Sequence, residues 1–169
     1  MGFSLGGNVL LKYLGEEGER VSDKIHQAYA VSVPIELRPC AHQLASGFNR
    51  IYSYHFMTLL RKKVKKLAQM HDHAYLKSLK LKELKTFIEF DDKVTAPLSN
   101  FANNEEYWSK ASAKPYLDKI RVPTKLINAK DDPFLCNHSC YPTAEDIENP
   151  YMAFEYPDTG GHIGTISVL

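Results

Sequence analysis

No stretch of this sequence approaches the roughly 20 consecutive apolar residues that a membrane-spanning helix needs, and no membrane contact is indicated. The first residues also lack the basic-then-apolar pattern of a secretory signal. Neither charge dominates: 21 Lys and Arg stand against 20 Asp and Glu, a net charge of +1. That balance removes the electrostatic case for a nucleic-acid partner, which rests on a clustered basic excess. Cysteine is scarce and odd in number, at three. Such a set reads as reduced thiols and not as a disulfide framework, so a cytoplasmic location is the default expectation. Internal repeats and low-complexity linkers are absent too. What remains is an ordinary globular composition, 169 residues with 44% hydrophobic and 24% charged, enough for about one domain with a single core.

Apolar periodicity places a short helix after the first residues. Val9, Leu10, Tyr13 and Leu14 fit one helical face, and Gly15 reads as its stop. Residues 28–33, ended by Pro34, read as a buried strand. Residues 124–128 after Pro123, and residues 151–156 between Pro150 and Pro157, read as two more. From about residue 36 to 117 the pattern is mostly helical; Leu60, Val64 and Leu67 share a face, and Arg61, Lys62, Lys63, Lys65 and Lys66 surround it. Strands separated by helical stretches predict an α/β fold with a parallel sheet. The long helical block is too large for a simple crossover and is expected to be a lid-like insertion in one domain spanning residues 1–169.

Chemistry enters with Gly2-Phe3-Ser4-Leu5-Gly6, a G-x-S-x-G pentapeptide directly ahead of a helix. A serine on a sharp strand-to-helix turn needs small neighbours, because its backbone is strained and the helix packs close. Such a turn exposes the hydroxyl at the carboxyl edge of a sheet. It also aims the Leu5 amide and the positive helix end at the oxyanion of a tetrahedral intermediate. By chance the pattern arises in roughly one chain in twenty of this length, so by itself it carries moderate weight.

A serine hydroxyl attacks at neutral pH only when a base takes its proton and a third group orients that base. In this fold class the chain order is Ser, then Asp or Glu, then His. Asp131-Asp132-Pro133-Phe134 follows the second expected strand, and Thr159-Gly160-Gly161-His162 follows the third. Asp132 is preferred as the orienter because Pro133 stiffens its turn, and Asp131 is the alternative, with capping of that turn as its other role. His162 stands among Gly160, Gly161 and Gly164, on a loop able to reach Ser4.

The stretch Gly2-Phe3-Ser4-Leu5-Gly6-Gly7-Asn8 resembles the elbow of the YheT-like α/β-hydrolases, a family of carboxylesterases whose animal relatives act on monoacylglycerols and phospholipids. The resemblance runs on through Phe90-Asp91-Asp92-Lys93-Val94-Thr95-Ala96-Pro97 and Tyr107-Trp108-Ser109-Lys110-Ala111-Ser112. It continues through Ile120-Arg121-Val122-Pro123-Thr124, Ile127-Asn128-Ala129-Lys130-Asp131-Asp132-Pro133-Phe134 and Gly160-Gly161-His162-Ile163-Gly164. It implies Ser4 as nucleophile, Asp132 as acid and His162 as base, with the Leu5 amide as one oxyanion donor. It also implies an ester or acyl-lipid substrate, no cofactor and no metal. Relatives carry several strands before the elbow, with the second oxyanion donor among them, and a final helix after the histidine. The expectation is therefore the C-terminal portion of an α/β-hydrolase fold, truncated at both ends. The rival readings are a non-catalytic remnant of such a hydrolase and an acyltransferase using the same three residues.

Other candidates carry less. Cys136 and Cys140 with His138 between them are poorly spaced for zinc, which takes four ligands in recognisable pairs. His71 and His73 read as a solvated surface after a helix. The basic run Arg61 to Lys66 reads as a solvated face, with an ordinary core-facing stripe beside it; contact with an anionic membrane surface is the alternative. Tyr52, Tyr54, His55, Phe56 and Met57 either line an acyl pocket or pack the insertion, and the sequence does not separate the two.

Overall fold

A parallel strand buried on both faces is rich in apolar residues, as residues 28–31 are, whereas residues 124–127 bury Thr124 with Leu126 and Ile127 and leave Lys125 half-buried. The computed structural model, which describes residues 1–136 and 139–164, has four strands. They are β1 (Gly2–Phe3), β2 (Ala28–Val31), β3 (Thr124–Ile127) and β4 (Met152–Glu155), all parallel in the order β1-β2-β3-β4. One lateral row passes from Gly2 through Ala30 and Leu126 to Phe154. Because every strand runs the same way, the segments that leave them emerge at one carboxyl edge, where open α/β sheets bind ligands.

Helix α1 (Ser4–Glu17) starts without a break from β1. Its buried face is Gly7, Asn8, Leu11, Leu14 and Gly15; of the expected Val9, Leu10, Tyr13 and Leu14, Leu14 is buried, Leu10 is half-buried, and Val9 and Tyr13 are exposed. Val9 is 61% exposed. The pattern misleads because this helix packs through small and hydrogen-bonded residues as well as apolar ones. A Cβ on Gly15 would come within 2.2 Å of the Tyr116 carbonyl oxygen, so Gly15 permits a close approach inside the helix and does not end it. The stop is Gly18, whose φ of 53° suits a glycine. Leu11 and Leu14 join Ala30, Leu117, Ile120 and Leu126 in a core that excludes water. Each such leucine or isoleucine stabilises the fold by roughly 1.5–3 kcal/mol.

The chain forms two compact units, residues 1–40 with 111–169, and residues 41–110. The first holds the sheet and α1. The second is helical. Helix α2 (Leu37–Leu44) begins within the first unit; α3 (Asn49–Met70), α4 (Ala74–Ser78), α5 (Phe87–Phe90), α6 (Ala96–Leu98) and α7 (Asn104–Ala111) follow. A wide π turn, Asp91–Thr95, separates α5 from α6. The core of this unit gathers Met57, Val64, Ala68, Leu76, Phe90 and Val94. On α3 the buried stripe includes Met57, Val64 and Ala68, while Leu67 is 40% exposed, contrary to the expected face. Met57 is a core residue and Phe56 packs against it, whereas Tyr52 and Tyr54 are exposed. His73 caps α4, its ring nitrogen accepting from the Leu76 amide. No helix among the described residues is long and apolar enough to cross a membrane.

Candidate active site

The elbow is built by a backbone that few residue types tolerate. Ser4 has φ 49°, a left-handed conformation that costs a non-glycine residue energy and is retained where the surroundings enforce it. The enforcement is a close approach between β1 and α1. A Cβ on Gly2 would lie 2.8 Å from the Gly6 oxygen and from the Gly7 Cα, and one on Gly7 would lie 2.4 Å from a Val33 methyl. Gly6 faces open space, so the tight contacts fall on Gly2 and Gly7. Ser4 opens α1, where no side chain caps the first turn. The Leu5 amide is among the first four N–H groups that helix geometry leaves without an intrahelical acceptor, and it lies at the positive end of the helix dipole.

From the carboxyl ends of β3 and β4 the other two residues come to the same place. His162 Nε2 lies 3.1 Å from Ser4 Oγ, and His162 Nδ1 lies 2.8 Å from Asp132 Oδ2. A carboxylate only accepts, so Nδ1 carries the hydrogen and Nε2 is left to accept from the serine hydroxyl. The Asp132 side chain has no exposed surface and that of His162 only 16%. Asp132 is held in turn because its Oδ1 accepts from the Phe134 amide at 2.9 Å. The Phe134 ring packs on the imidazole with centroids 4.6 Å apart. Burial, and then the nearby charge of Asp132, push the Tyr141 phenol above its usual range.

The histidine loop is pinned on both sides of the imidazole. The Gly161 amide donates to Asp131 Oδ1 at 2.7 Å, and the Ile163 amide donates to Ser32 Oγ at 2.9 Å. Ile163 has φ 73°, a strained conformation for a β-branched residue, and the Ser32 bond helps to hold it there. Asp131 therefore does not cap its own turn; Asp132 does that with its second oxygen, and Asp131 ties the neighbouring loop. Ser32 escaped the sequence reading altogether. Its one signal is its place, a small polar residue directly after a buried strand at the working edge of the sheet. Asn128, after β3, has the same signal. Its Oδ1 accepts from the Val33 amide at 2.7 Å, and its Nδ2 donates to the Val33 and Cys140 carbonyls.

The cysteines lie elsewhere in the same unit. Cys136 and Cys140 have sulfurs 3.7 Å apart, and His138 lies outside the described residues. Cys40, from α2, brings a third sulfur to within 3.3 Å of Cys140. Hydrogen bonds from Cys140 and Cys40, with the Ser139 hydroxyl adding to them, hold the Cys136 thiol well below its ordinary range.

Known proteins share this chain's pattern. A family model described as alpha/beta hydrolase fold matches residues 1–166. The YheT protein of Escherichia coli (strain K12) is 35% identical over 167 residues, 98% of this chain and 48% of that protein. The monoacylglycerol lipase of Saccharomyces cerevisiae (strain ATCC 204508 / S288c) is 33% identical over 170 residues, 97% of this chain and 37% of the lipase. Phospholipase ABHD3 of Homo sapiens is 29% identical over 167 residues, 96% of this chain and 39% of the phospholipase. The chain thus spans less than half the length of these relatives. On its strand order, its elbow and the match along residues 1–166, this chain belongs to the alpha/beta hydrolase fold family.

Proposed function

We propose that this chain carries the catalytic residues of a serine hydrolase that cleaves carboxylic esters through an acyl-enzyme. The observation that carries the reading is the unbroken hydrogen-bonded series from Ser4 Oγ through both nitrogens of His162 to Asp132. In this mechanism His162 takes the hydroxyl proton as Ser4 attacks the ester carbonyl, and the tetrahedral oxyanion forms against the Leu5 amide. His162 then returns the proton to the leaving alcohol. Water repeats the sequence on the acyl-serine and frees the acid. Asp132 holds the imidazole in the required tautomer and stabilises the imidazolium that forms.

The substrate class follows from the relatives, named as a monoacylglycerol lipase and a phospholipase. Both act on acyl esters, so an ester with an acyl chain is the proposed substrate, and no cofactor or nucleic acid takes part. The same proposal treats the helical block, about residues 36–117, as a lid insertion within one hydrolase domain.

Fluorophosphonate labelling of the full-length protein tests the assignment. One label on Ser4 is expected, and labelling that survives Ser4→Ala would remove Ser4 from the mechanism. Ester turnover is expected to fall by roughly 10⁴-fold in Asp132→Asn, through the wrong imidazole tautomer. Asp131→Asn keeps an oxygen for the Gly161 amide and should cost far less. The reverse order would exchange the two aspartates.

A further inference from the structure

The three cysteines are spread across a hundred positions of sequence and meet in the core of the sheet unit. Cys40 sits on α2, while Cys136 and Cys140 lie in the segment after β3. Cys40 is 4% exposed, Cys140 is fully buried and Cys136 is half-buried. The Sγ atoms of Cys40 and Cys140 are 3.3 Å apart, those of Cys136 and Cys140 3.7 Å, and all three lie within 4.8 Å of one another. All three are free thiols.

A single buried cysteine behaves as a small hydrophobe, and two adjacent ones need nothing beyond each other. Three sulfurs turned towards one point call for something central. Zinc–sulfur bonds are about 2.3 Å long, so sulfurs sharing such an ion stand roughly 3.8 to 4.0 Å apart in tetrahedral or trigonal geometry. The two pairs through Cys140, at 3.3 and 3.7 Å, fall just short of that spacing, and an outward shift of about half an ångström at the tighter pair would bring the set onto it. The backbone is tied down near Cys140 and at the start of the helix that carries Cys40. Asn128 Nδ2 donates to the Cys140 carbonyl at 2.7 Å, and Ser112 Oγ accepts from the Leu37 amide at the start of α2 at 3.0 Å. Ser139 Oγ lies 2.5 Å from Cys136 Sγ, an oxygen placed beside the most accessible of the three sulfurs. Around them, Cys40 and Cys140 belong to the same apolar cluster as Val33, Ile35 and Leu135. Soft thiolates in a dry pocket select soft, thiophilic ions over magnesium or calcium.

We propose that Cys40, Cys136 and Cys140 form a binding site for one thiophilic d¹⁰ metal ion, Zn²⁺ or Cu⁺. On binding, each S–H proton passes to water as a metal–sulfur bond forms, and no electron is transferred. The ion clips α2 to the segment that follows Asp132, so it stabilises the sheet unit whether or not the ester chemistry holds.

The test uses the full chain, purified with a phosphine reductant and no chelator, and titrated separately with Zn²⁺ and Cu⁺. Uptake of one ion per chain is expected, with a rise in thermal midpoint, ultraviolet thiolate-to-metal absorption for Cu⁺, and joint protection of all three cysteines from alkylation. These are the only cysteines in the sequence, so the mass of the alkylated protein counts them directly. Loss of an outer-shell partner weakens metal sites by about 10- to 100-fold, so Cys40→Ser, which removes a ligand, should weaken binding at least that much. Uptake unchanged in Cys40→Ser overturns the proposal, as does a reduced wild-type chain that binds neither ion. Should the variant fail to fold, alkylation of the wild type still decides. Because Cys40 and Cys140 are buried even without an ion, alkylation is compared with and without the ion at a denaturant level that exposes all three. Slowing of all three by the ion supports the site, and slowing of fewer overturns it. Whichever ion is retained against a competing chelator names the metal.

Discussion

The sheet unit and the helical unit are held together in different ways. In the sheet unit, buried amides join stretches far apart in sequence, about a hundred residues for Asn8 and Asn128 and about thirty for Asn149. Asn8 donates to the Ala111 carbonyl at 2.8 Å and accepts from the Ala113 amide at 2.9 Å. Asn128 joins β3 to the segment after β2, and Asn149 donates to the carbonyls of Leu117 and Ile120. In the helical unit the ties are short in sequence. Thr86 and Glu89 form a capping box, Asp91 accepts from Thr95, and Lys110 pairs with Glu106. Beside the bond from the Trp108 indole to Asp91, 17 residues away, its interior is held by the packing of Met57, Val64 and their neighbours. A unit of non-local ties pays loop-closure entropy before its contacts form, so it is expected to order cooperatively and late. The candidate catalytic residues all belong to that unit. Their geometry therefore inherits its all-or-none character.

The largest effect should come from cutting one of the distant ties. Asn128→Ala would take the side-chain partner from the Val33 amide and the Cys140 carbonyl, while the Val33 carbonyl keeps its bond from the Ile35 amide. Each orphaned buried group costs roughly 1–3 kcal/mol, so a loss of about 2–6 kcal/mol is expected for the two, much of what a domain has. Hydrogen exchange at the β2 and β3 amides would show protection collapsing together. A loss below about 1 kcal/mol would mean that the distant amides are incidental to stability.

Met57→Ala is the matched cut in the helical unit, at a fully buried side chain. It removes packing and opens a cavity, for an expected cost of about 2–4 kcal/mol. Trp108 is the single tryptophan and is buried in this unit, so its fluorescence reports the unit's denaturant midpoint directly. A midpoint shift with no change in slope is expected, because packing alone is lost. A change in slope would show that the two units differ less in kind than their hydrogen bonds suggest.

The contrast also explains what could be read from the residues alone. Turn chemistry is local, so the Gly2–Gly6 elbow, the Asp131–Asp132–Pro133 turn and the glycines around His162 all announced themselves. Three of the four parallel strands did too, with ends off by one or two residues, while the two-residue β1 was too short to show. Ties across a hundred residues leave no local trace. Cys40 could not be matched to Cys140, nor Ser32 to the histidine loop, and His138 drew attention only because it stands between two cysteines. The buried face of α1 failed for another reason. Counting apolar residues overlooks a face made of Gly7, Asn8 and Gly15, where close approach and hydrogen bonding replace hydrophobic burial.

The smallest effect, and the finest probe of the helical unit, is the acid response of Asp91. Its Oδ2 accepts from the Trp108 indole at 2.8 Å and its Oδ1 from the Thr95 hydroxyl at 2.7 Å. Burial nevertheless raises its carboxyl above the ordinary range, against the pull of those two bonds. The folded chain thus holds this proton more tightly than the unfolded one does. The stability it contributes is fully present below the unfolded pKa and is lost as pH rises through the raised folded value. In Asp91→Asn that response disappears, while an oxygen remains for the indole. Stability of the variant relative to wild type should therefore rise with pH through that acid window and stay level to pH 7, as followed by Trp108 fluorescence in denaturant series. A flat difference would mean that the two hydrogen bonds offset the burial. A difference falling with pH would mean that they outweigh it, and Asp91 would then be a stabilising anion comparable to the buried amides of the sheet unit.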